Sequence, residues 1–137
     1  MAFAIKAAIK ETPAGVLVFP AQKTMYGGKR IAEGDAIFLF ASENSGGHGL
    51  IAKGVVAAAA ALPRKPGVER QTPRVDVTIE VIAPVLRSLG RRELKSFDRW
   101  DDGRPETELN FKFYRQATDK IVGVTNGAAA FLDSFFL

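Results

Sequence analysis

The sequence predicts an α+β domain in which a small, mostly antiparallel β-barrel is combined with short helices and a C-terminal helix. Strand patterns are scattered along the chain and joined by turns, without the alternation of strands and long helices that marks a parallel sheet. The most regular pattern, VDVTIEV at residues 75–81, places apolar and polar side chains on opposite faces. The chain ends in an amphipathic helix pattern. A barrel accommodates these elements because closure removes the edges of the sheet.

The first half of the chain contains four apolar runs that favour strands: residues 3–9, 16–19, 36–42 and 50–62. The third has no polar interruption, which is typical of a strand covered on both faces. The fourth is rich in alanine, but Gly54 would weaken a helix by about 1 kcal/mol, and Val55 and Val56 favour a long bent strand. Residues 21–32 predict a loop with one helical turn, and residues 44–49 predict a second loop, rich in glycine.

The second half begins with a loop at residues 63–73, which contains three prolines and leads into the alternating strand. Residues 88–98 predict a short helix, and residues 109–114 predict a strand because their phenylalanines alternate with polar residues. Thr125 or Asn126 is expected to cap the last helix. The aromatic and aliphatic residues near the C-terminus are expected to pack in the core with those of the 109–114 segment: Phe111, Phe113, Phe131, Leu132, Phe135 and Phe136.

Length and composition predict one globular domain over residues 1–137. Hydrophobic residues make up 47% and charged residues 25% of the chain, which are ordinary values for a globular protein. No apolar stretch is long enough to span a bilayer, and the N-terminal residues lack the pattern of a secretory signal, so no membrane partner and a cytoplasmic location are expected. The chain has no cysteine and one histidine. This composition excludes disulfides, thiol nucleophiles and the usual zinc sites, and we expect no cofactor.

Basic residues are concentrated in two places. Lysine and arginine number 19 against 15 acidic residues, for a net charge of +4. One basic cluster lies in the proline-rich loop and the other in the segment that follows the alternating strand: Arg64, Lys65, Arg70 and Arg74, then Arg87, Arg91, Arg92 and Lys95. Each cluster alone fits a solvated surface. Two of them in a small domain indicate an anionic partner, such as a nucleic acid.

The order of several motifs resembles the PUA-like superfamily, particularly its EVE and ASCH branches. The relevant segments are EGDAIFLFAS at 33–42, GLIAKGVVAAA at 49–59, the strand at 75–81 and FYRQATDKIVGVT at 113–125. EVE domains carry a tryptophan and an arginine-asparagine pair ahead of the Gly-Asp turn, where this chain has TMYGGKR at 24–30. The ASCH signature has a Gly-x-Lys followed by a glutamate, of which Lys23 and the following Thr24 are present here.

The resemblance implies a module that binds RNA or DNA and holds a flipped, often modified, base in a pocket at the barrel mouth. Such a pocket needs an aromatic plate, groups that read the polar edge of the base, and positive charge for the phosphates. The candidates for these roles are Tyr26, Trp100 and Tyr114 for stacking, Ser42 and Asn44 for the edge, and Lys23, Lys29 and Arg30 for phosphate. The alternative is that Trp100 caps the barrel and Tyr26 packs beneath a loop. The glycines of SENSGGHG at 42–49 are expected to admit a ligand closely.

Resemblance to the ASCH branch implies a second function, an amide hydrolase that acts on an acylated nucleoside. Its candidate catalytic residues are Lys23, Thr24 and Glu80, with the lysine activating the threonine hydroxyl and the glutamate transferring a proton. A third interpretation is a scaffold protein without a small ligand. His48 lies between two glycines, where a surface residue is more common than a catalytic base. The sequence favours the binding module over an enzyme and leaves the oligomeric state open.

Overall fold

The computed structural model describes all residues 1–137 and shows a closed six-stranded barrel. The strands are β1 (Ala2–Ala7), β2 (Val16–Met25), β3 (Ala36–Ala41), β4 (Gly49–Ala61), β5 (Arg74–Pro84) and β6 (Lys120–Val124). They follow the order β1-β3-β4-β5-β2-β6 around the barrel. The β1–β3 and β2–β6 pairs are parallel, and the other pairs are antiparallel. The predicted fold class is therefore confirmed.

Three short α-helices accompany the barrel: α1 (Arg91–Leu94), α2 (Pro105–Phe113) and α3 (Asn126–Asp133). Single 3₁₀ turns occur at Gly28–Arg30, Glu43–Ser45 and Ser134–Phe136. The cap of α3 is the predicted one, since the Thr125 hydroxyl accepts a hydrogen bond from the Ala128 N–H. The predicted helix within residues 88–98 is present but is only one turn long.

The prediction of a strand at residues 109–114 is wrong, because these residues complete α2. Pro105 occupies the first turn of this helix, where its missing N–H is not needed. Leu109 and Phe113 are four residues apart and both fully buried, whereas Phe111 is half-buried. The alternation of phenylalanines therefore does not describe the buried face; the i, i+4 spacing does. The short strand β6 was not predicted, since its five buried residues KIVGV show no alternation.

Strand β2 is longer than predicted, and the loop expected at residues 21–32 begins only after Met25. The strand passes Pro20 at a bulge, where the pairing with β5 shifts between Phe19 and Gln22. A bulge tolerates proline because the regular ladder is already interrupted there. The polar residues and the internal proline are the reason that the sequence pattern does not predict the last six residues of this strand, 20–25. The single helical turn predicted within this segment is present at Gly28–Arg30.

The barrel separates two apolar cores. One lies inside the barrel and includes alternate residues of β1, namely Phe3, Ile5 and Ala7. The other lies between the barrel wall and the helices, and it includes Ala4, Phe38, Phe40, Leu109, Phe113 and Leu132. Strand β3 contributes to both cores, which explains its unbroken apolar run. Exposed apolar residues lie on the outer face of β2 and β5, among them Val16, Val18 and Ile82.

Candidate functional site

A cavity of about 570 Å³ lies at one end of the barrel, which we call the barrel mouth. Strand β1 ends there at Ala7, strand β3 ends just before Ser42, and Asp119, the residue before β6, also lines the cavity. The bulge of β2 supplies another wall with Phe19 and Lys23. The volume is within the range of roughly 300–1,000 Å³ that is typical of small-ligand pockets.

Ser42 lies at the mouth with its hydroxyl free. The residue is only 1% exposed, and its backbone is held by hydrogen bonds with Ala7, Ser45 and Gly47. Its Oγ has no hydrogen-bond partner within the chain. Every side-chain nitrogen or oxygen that is inaccessible to solvent does have a partner, so the Ser42 Oγ is not completely inaccessible. The hydroxyl therefore contacts the cavity, where it is able to donate to and accept from a ligand.

Asn44 also lines the mouth, but its side chain is already engaged. Its Nδ2 donates to the Ala117 carbonyl at 3.3 Å, and its Oδ1 accepts from the Arg91 guanidinium at 3.2 Å. These bonds tie the 3₁₀ turn after β3 to the chain before β6 and to α1. Asn44 thus holds the rim of the cavity in position, and a ligand would have to share its amide.

Tyr114, one of the aromatic candidates, is part of a polar network behind the mouth. Its hydroxyl donates to the Glu43 carboxylate at 3.0 Å, and the same carboxylate accepts from the Arg91 N–H at 2.7 Å. The Arg91 guanidinium and the Lys6 ammonium lie 5.7 and 5.0 Å from the ring centre. Burial and the adjacent Glu43 carboxylate raise the pKa of the Tyr114 hydroxyl. This ring is occupied by protein groups and does not line the cavity.

Phe19 is the aromatic side chain that lines the mouth. It is half-buried and lies on β2 just before the bulge. Sequence reasoning missed it because it stands in an apolar run that indicates only a strand, with no local sign of a pocket. Closure of β2 against β6 brings it beside the ends of β1 and β3.

Positive charge lies both on the rim of the mouth and in the protein interior behind it. Lys23 and Arg74 are exposed on its rim, where Asp119 is the acidic neighbour. Two lysines, Lys6 and Lys120, lie buried behind the lining, directly opposite each other on β1 and β6. The Lys6 ammonium donates to the Phe113 carbonyl at the end of α2, and the Lys120 ammonium donates to the Gln116 carbonyl in the chain that follows. Sequence reasoning missed both because a single lysine in an apolar strand gives no sign of its depth.

Burial and the charge of Lys6 lower the pKa of Lys120 to about 8, with Asp119 acting in the opposite direction. Burial also lowers the pKa of Lys6. The folded protein therefore binds fewer protons than the unfolded chain between about pH 8 and the ordinary lysine value of 10.5. Since stability rises with pH wherever the unfolded state binds more protons, Lys120 makes the fold more stable as the pH rises through this window, and the lowered pKa of Lys6 acts in the same direction.

We expect the free energy of unfolding to rise between pH 7.5 and 9.5, by an amount on the order of 2–3 kcal/mol. Urea unfolding at a series of pH values measures this rise. Lys120→Met should remove most of it, whereas Lys53→Met, at a partly exposed lysine on β4, should leave it intact. An equal rise in the Lys120 variant would contradict the assignment.

Tyr26 and Trp100 lie in a different part of the molecule from Ser42. Both contact Phe111 of α2, with ring centres 5.8 and 5.4 Å away, and they are 40% and 44% exposed. Trp100 lines a second cavity of about 340 Å³, and neither ring lines the mouth. Lys29 and Arg30 are exposed on the 3₁₀ turn that follows Tyr26 and are not part of the mouth lining either. The structure thus brings Lys23, Ser42 and Asn44 together at the mouth and places the other five ligand candidates elsewhere.

The candidate hydrolase residues are not assembled. Lys23 pairs with Arg74 at the start of β5, whereas Glu80 is six residues further along that strand, a separation of about 20 Å. Glu80 is exposed on the outer face of the barrel. The Thr24 hydroxyl is buried and donates to the Pro73 carbonyl at 2.8 Å. Glu80 is therefore too far from Lys23 for a direct proton transfer between them in this arrangement.

Two glycines of the loop at residues 42–49, Gly47 and Gly49, do not hold space for a ligand. A Cβ on Gly47 would lie 2.5 Å from the Ala41 Cβ, and one on Gly49 would lie 2.3 Å from the Leu89 carbonyl oxygen. The space is occupied by the chain itself, so the expectation of a ligand approaching there is wrong for these two residues. His48 between them is exposed and makes no side-chain hydrogen bond. No group of three or more histidine or acidic side chains is arranged to hold a metal ion.

None of the helices has the length and apolar character that crossing a membrane requires. No family model matches the sequence, and no curated protein matches it. Solved structures match over nearly the whole chain. The DUF55 domain of human thymocyte nuclear protein 1 (THYN1) superposes with a TM-score of 0.64 at 12% identity, covering 98% of this chain and 97% of that domain.

The chain shares the DUF55 fold. Human THYN1 in complex with DNA that contains 5-methylcytosine gives the same TM-score at 15% identity, covering 97% of this chain and 95% of that one. A protein from Pseudomonas putida gives 0.64 at 14% identity, with both chains covered completely. The predicted barrel with short helices is the fold that these structures share with the chain. At these identities the DUF55 fold alone is shared, and the site must be argued from this chain's own residues.

Proposed function

We propose that this protein is a nucleic-acid-binding module that holds a modified base, of the 5-methylcytosine kind, in the barrel-mouth cavity. One observation carries the proposal: an open cavity of about 570 Å³ combines an aromatic side chain, Phe19, with a free hydroxyl on Ser42 and a cationic rim. The DUF55 fold of human THYN1, which has been solved with methylated DNA, supports the same class of ligand.

Each part of the cavity has a role in this proposal. Phe19 stacks on the extruded base, an interaction that contributes about 1–3 kcal/mol. The Ser42 hydroxyl bonds the polar edge of the base. Small apolar side chains beside them, Ala7 and Ala21, provide contacts of the type that a base methyl group prefers. Lys23 and Arg74 face the phosphates on either side of the extruded nucleotide.

Filling the cavity tests the proposal directly. Ala117 is exposed and lines the mouth, so Ala117→Trp should block entry of a base without disturbing the core. We expect labelled DNA and RNA oligonucleotides with one central 5-methylcytosine to bind the native protein more tightly than unmethylated ones, as measured by fluorescence anisotropy. The Trp variant should lose this preference. Ala130→Trp, at an exposed position of α3, is the matched control and should keep it.

Phe19→Leu separates stacking from apolar packing, since leucine keeps much of the volume but removes the aromatic face. The affinity for the methylated oligonucleotide should fall by roughly 5- to 100-fold, the range expected for loss of one stacked base. Thermal unfolding of the same variant checks that the fold is intact. Equal binding of methylated and unmethylated oligonucleotides by the native protein would refute base recognition, and unchanged binding by both mouth variants would refute this location.

A further inference from the structure

The connection between β4 and β5, residues 63–73, borders the barrel mouth, and we call it the basic loop. It is attached to the mouth wall by β2, where the Pro73 carbonyl accepts from the Thr24 N–H and hydroxyl. The neighbouring Arg74 donates to the Ala21 carbonyl at 2.7 Å. Arg74 lines both the mouth and a third cavity, of about 490 Å³, beneath the basic loop. The two cavities are therefore adjacent.

The basic loop holds its own shape through Gln71. The Gln71 amide accepts from the Lys65 N–H at 2.8 Å and donates to the carbonyls of Lys65 and Val68 at 2.6 and 2.8 Å. The Arg64 guanidinium closes the same turn by donating to the Glu69 carbonyl. An exposed loop organised in this way presents its side chains in fixed places, which lowers the ordering cost when a partner binds.

In each of the two basic clusters of the sequence, the structure holds two cationic side chains in place and leaves two free. In the second cluster, Arg87 donates to the Ser134 carbonyl and lies over the Phe135 ring, and Arg91 is bound to Asn44 and stacked on Tyr114. These two guanidinium groups stabilise the fold, whereas Arg92 and Lys95 of the same cluster are exposed and make no side-chain hydrogen bond or ion pair. In the basic loop, the side chains of Lys65 and Arg70 are likewise exposed and make no hydrogen bond or ion pair. Lys65 and Arg70 are the free pair on the loop that is attached to the mouth wall through Pro73 and Arg74.

We propose that the basic loop is a preformed binding site for the phosphodiester groups of the strand whose base enters the mouth. Lys65 and Arg70 neutralise phosphates, the Thr72 hydroxyl is available to a phosphate oxygen in the cavity below, and Arg74 connects this site to the mouth. These contacts are with the phosphodiester backbone of the nucleic acid only. They therefore raise the affinity for every nucleotide sequence equally and carry no base preference. This inference rests on the proposed function and adds the strand-positioning surface to it.

The salt dependence of binding tests the loop. Duplex oligonucleotides, one with a central 5-methylcytosine and one without, are titrated between 50 and 300 mM NaCl. Each phosphate contact contributes about 0.9 to the slope of log K against log salt for duplex DNA. Lys65→Gln and Arg70→Gln should each reduce the slope by roughly that amount and weaken both duplexes by the same factor. Arg92→Gln removes an equal charge from the exposed face of α1 and should leave the slope unchanged.

Gln71→Leu tests whether the shape of the loop matters as well as its charge. It removes the three hydrogen bonds of the amide but no charge, so binding should weaken roughly two- to tenfold at every salt concentration with little change in slope. Unchanged slopes in the Lys65 and Arg70 variants, or a drop of the same size in the Arg92 variant, would overturn the loop site. If the Ala117→Trp variant still loses its base preference in that case, the proposed function stands alone. Absence of binding by the native protein at 50 mM salt would overturn both proposals.

Discussion

Replacement of Gly49 by alanine is expected to lower the free energy of unfolding by about 2–5 kcal/mol. Gly49 has a φ of +89°, a conformation that costs an L-amino acid about 1–2 kcal/mol. A Cβ there would lie 2.3 Å from the Leu89 carbonyl oxygen and 2.5 Å from the Gly90 Cα. Both neighbours are backbone atoms, so no side-chain rotation relieves the contact. The same approach lets the Leu50 N–H donate to the Leu89 carbonyl at 2.8 Å.

Urea unfolding followed by circular dichroism measures this loss, with linear extrapolation to zero denaturant. Gly67→Ala is the matched control, because Gly67 has a φ of +80° but nothing within 4 Å of its missing Cβ. It should lose only the conformational part, about 1–2 kcal/mol. Equal losses at the two positions would mean that the close packing of β4 against residues 89 and 90 contributes nothing.

Phe113→Ala is expected to destabilise the protein by about 3–5 kcal/mol, the usual loss for a large aromatic side chain in a packed core. Phe113 is fully buried, and its ring centre lies 4.9 Å from that of Phe40 on β3. This contact joins α2 to the outer wall of the barrel. The loss combines reduced apolar burial with a cavity that the rigid barrel wall cannot close.

The half-buried Phe111 provides the comparison for Phe113. Phe111→Ala should lose clearly less, roughly 1–2 kcal/mol, because one side of its ring already faces the exposed Tyr26 and Trp100. The two variants also test whether residues 109–114 form a helix or a strand. In a strand, the two phenylalanines would lie on one face, and their replacement by alanine would lower the free energy of unfolding by similar amounts. A larger loss for Phe111 than for Phe113 would contradict the packing of α2.

Candidate functional residues were predictable where a strand ends. Ser42 and Asn44 follow a buried strand, and Lys23 belongs to a segment whose resemblance to the ASCH signature singled it out. All three line the mouth. Tyr26 and Trp100 have the aromatic rings that base stacking needs, but their positions depend on α2, which the sequence pattern does not predict. Phe19 was overlooked because its neighbours in the sequence are apolar, while its neighbours in space are the ends of other strands.

The chain's own pattern determined the local elements. Alternation marked β5, the unbroken apolar run marked β3, and Thr125 marked the start of α3, since each signal depends on residues that are close in sequence. Only the tertiary structure decided which distant groups meet at the mouth. Two parallel pairings, β1 with β3 and β2 with β6, bring strand ends from across the chain to one rim. Three features follow from that closure: the burial of the two lysines, the free hydroxyl of Ser42 and the separation of Glu80 from Lys23. Long-range pairing sets these distances, which local periodicity does not encode.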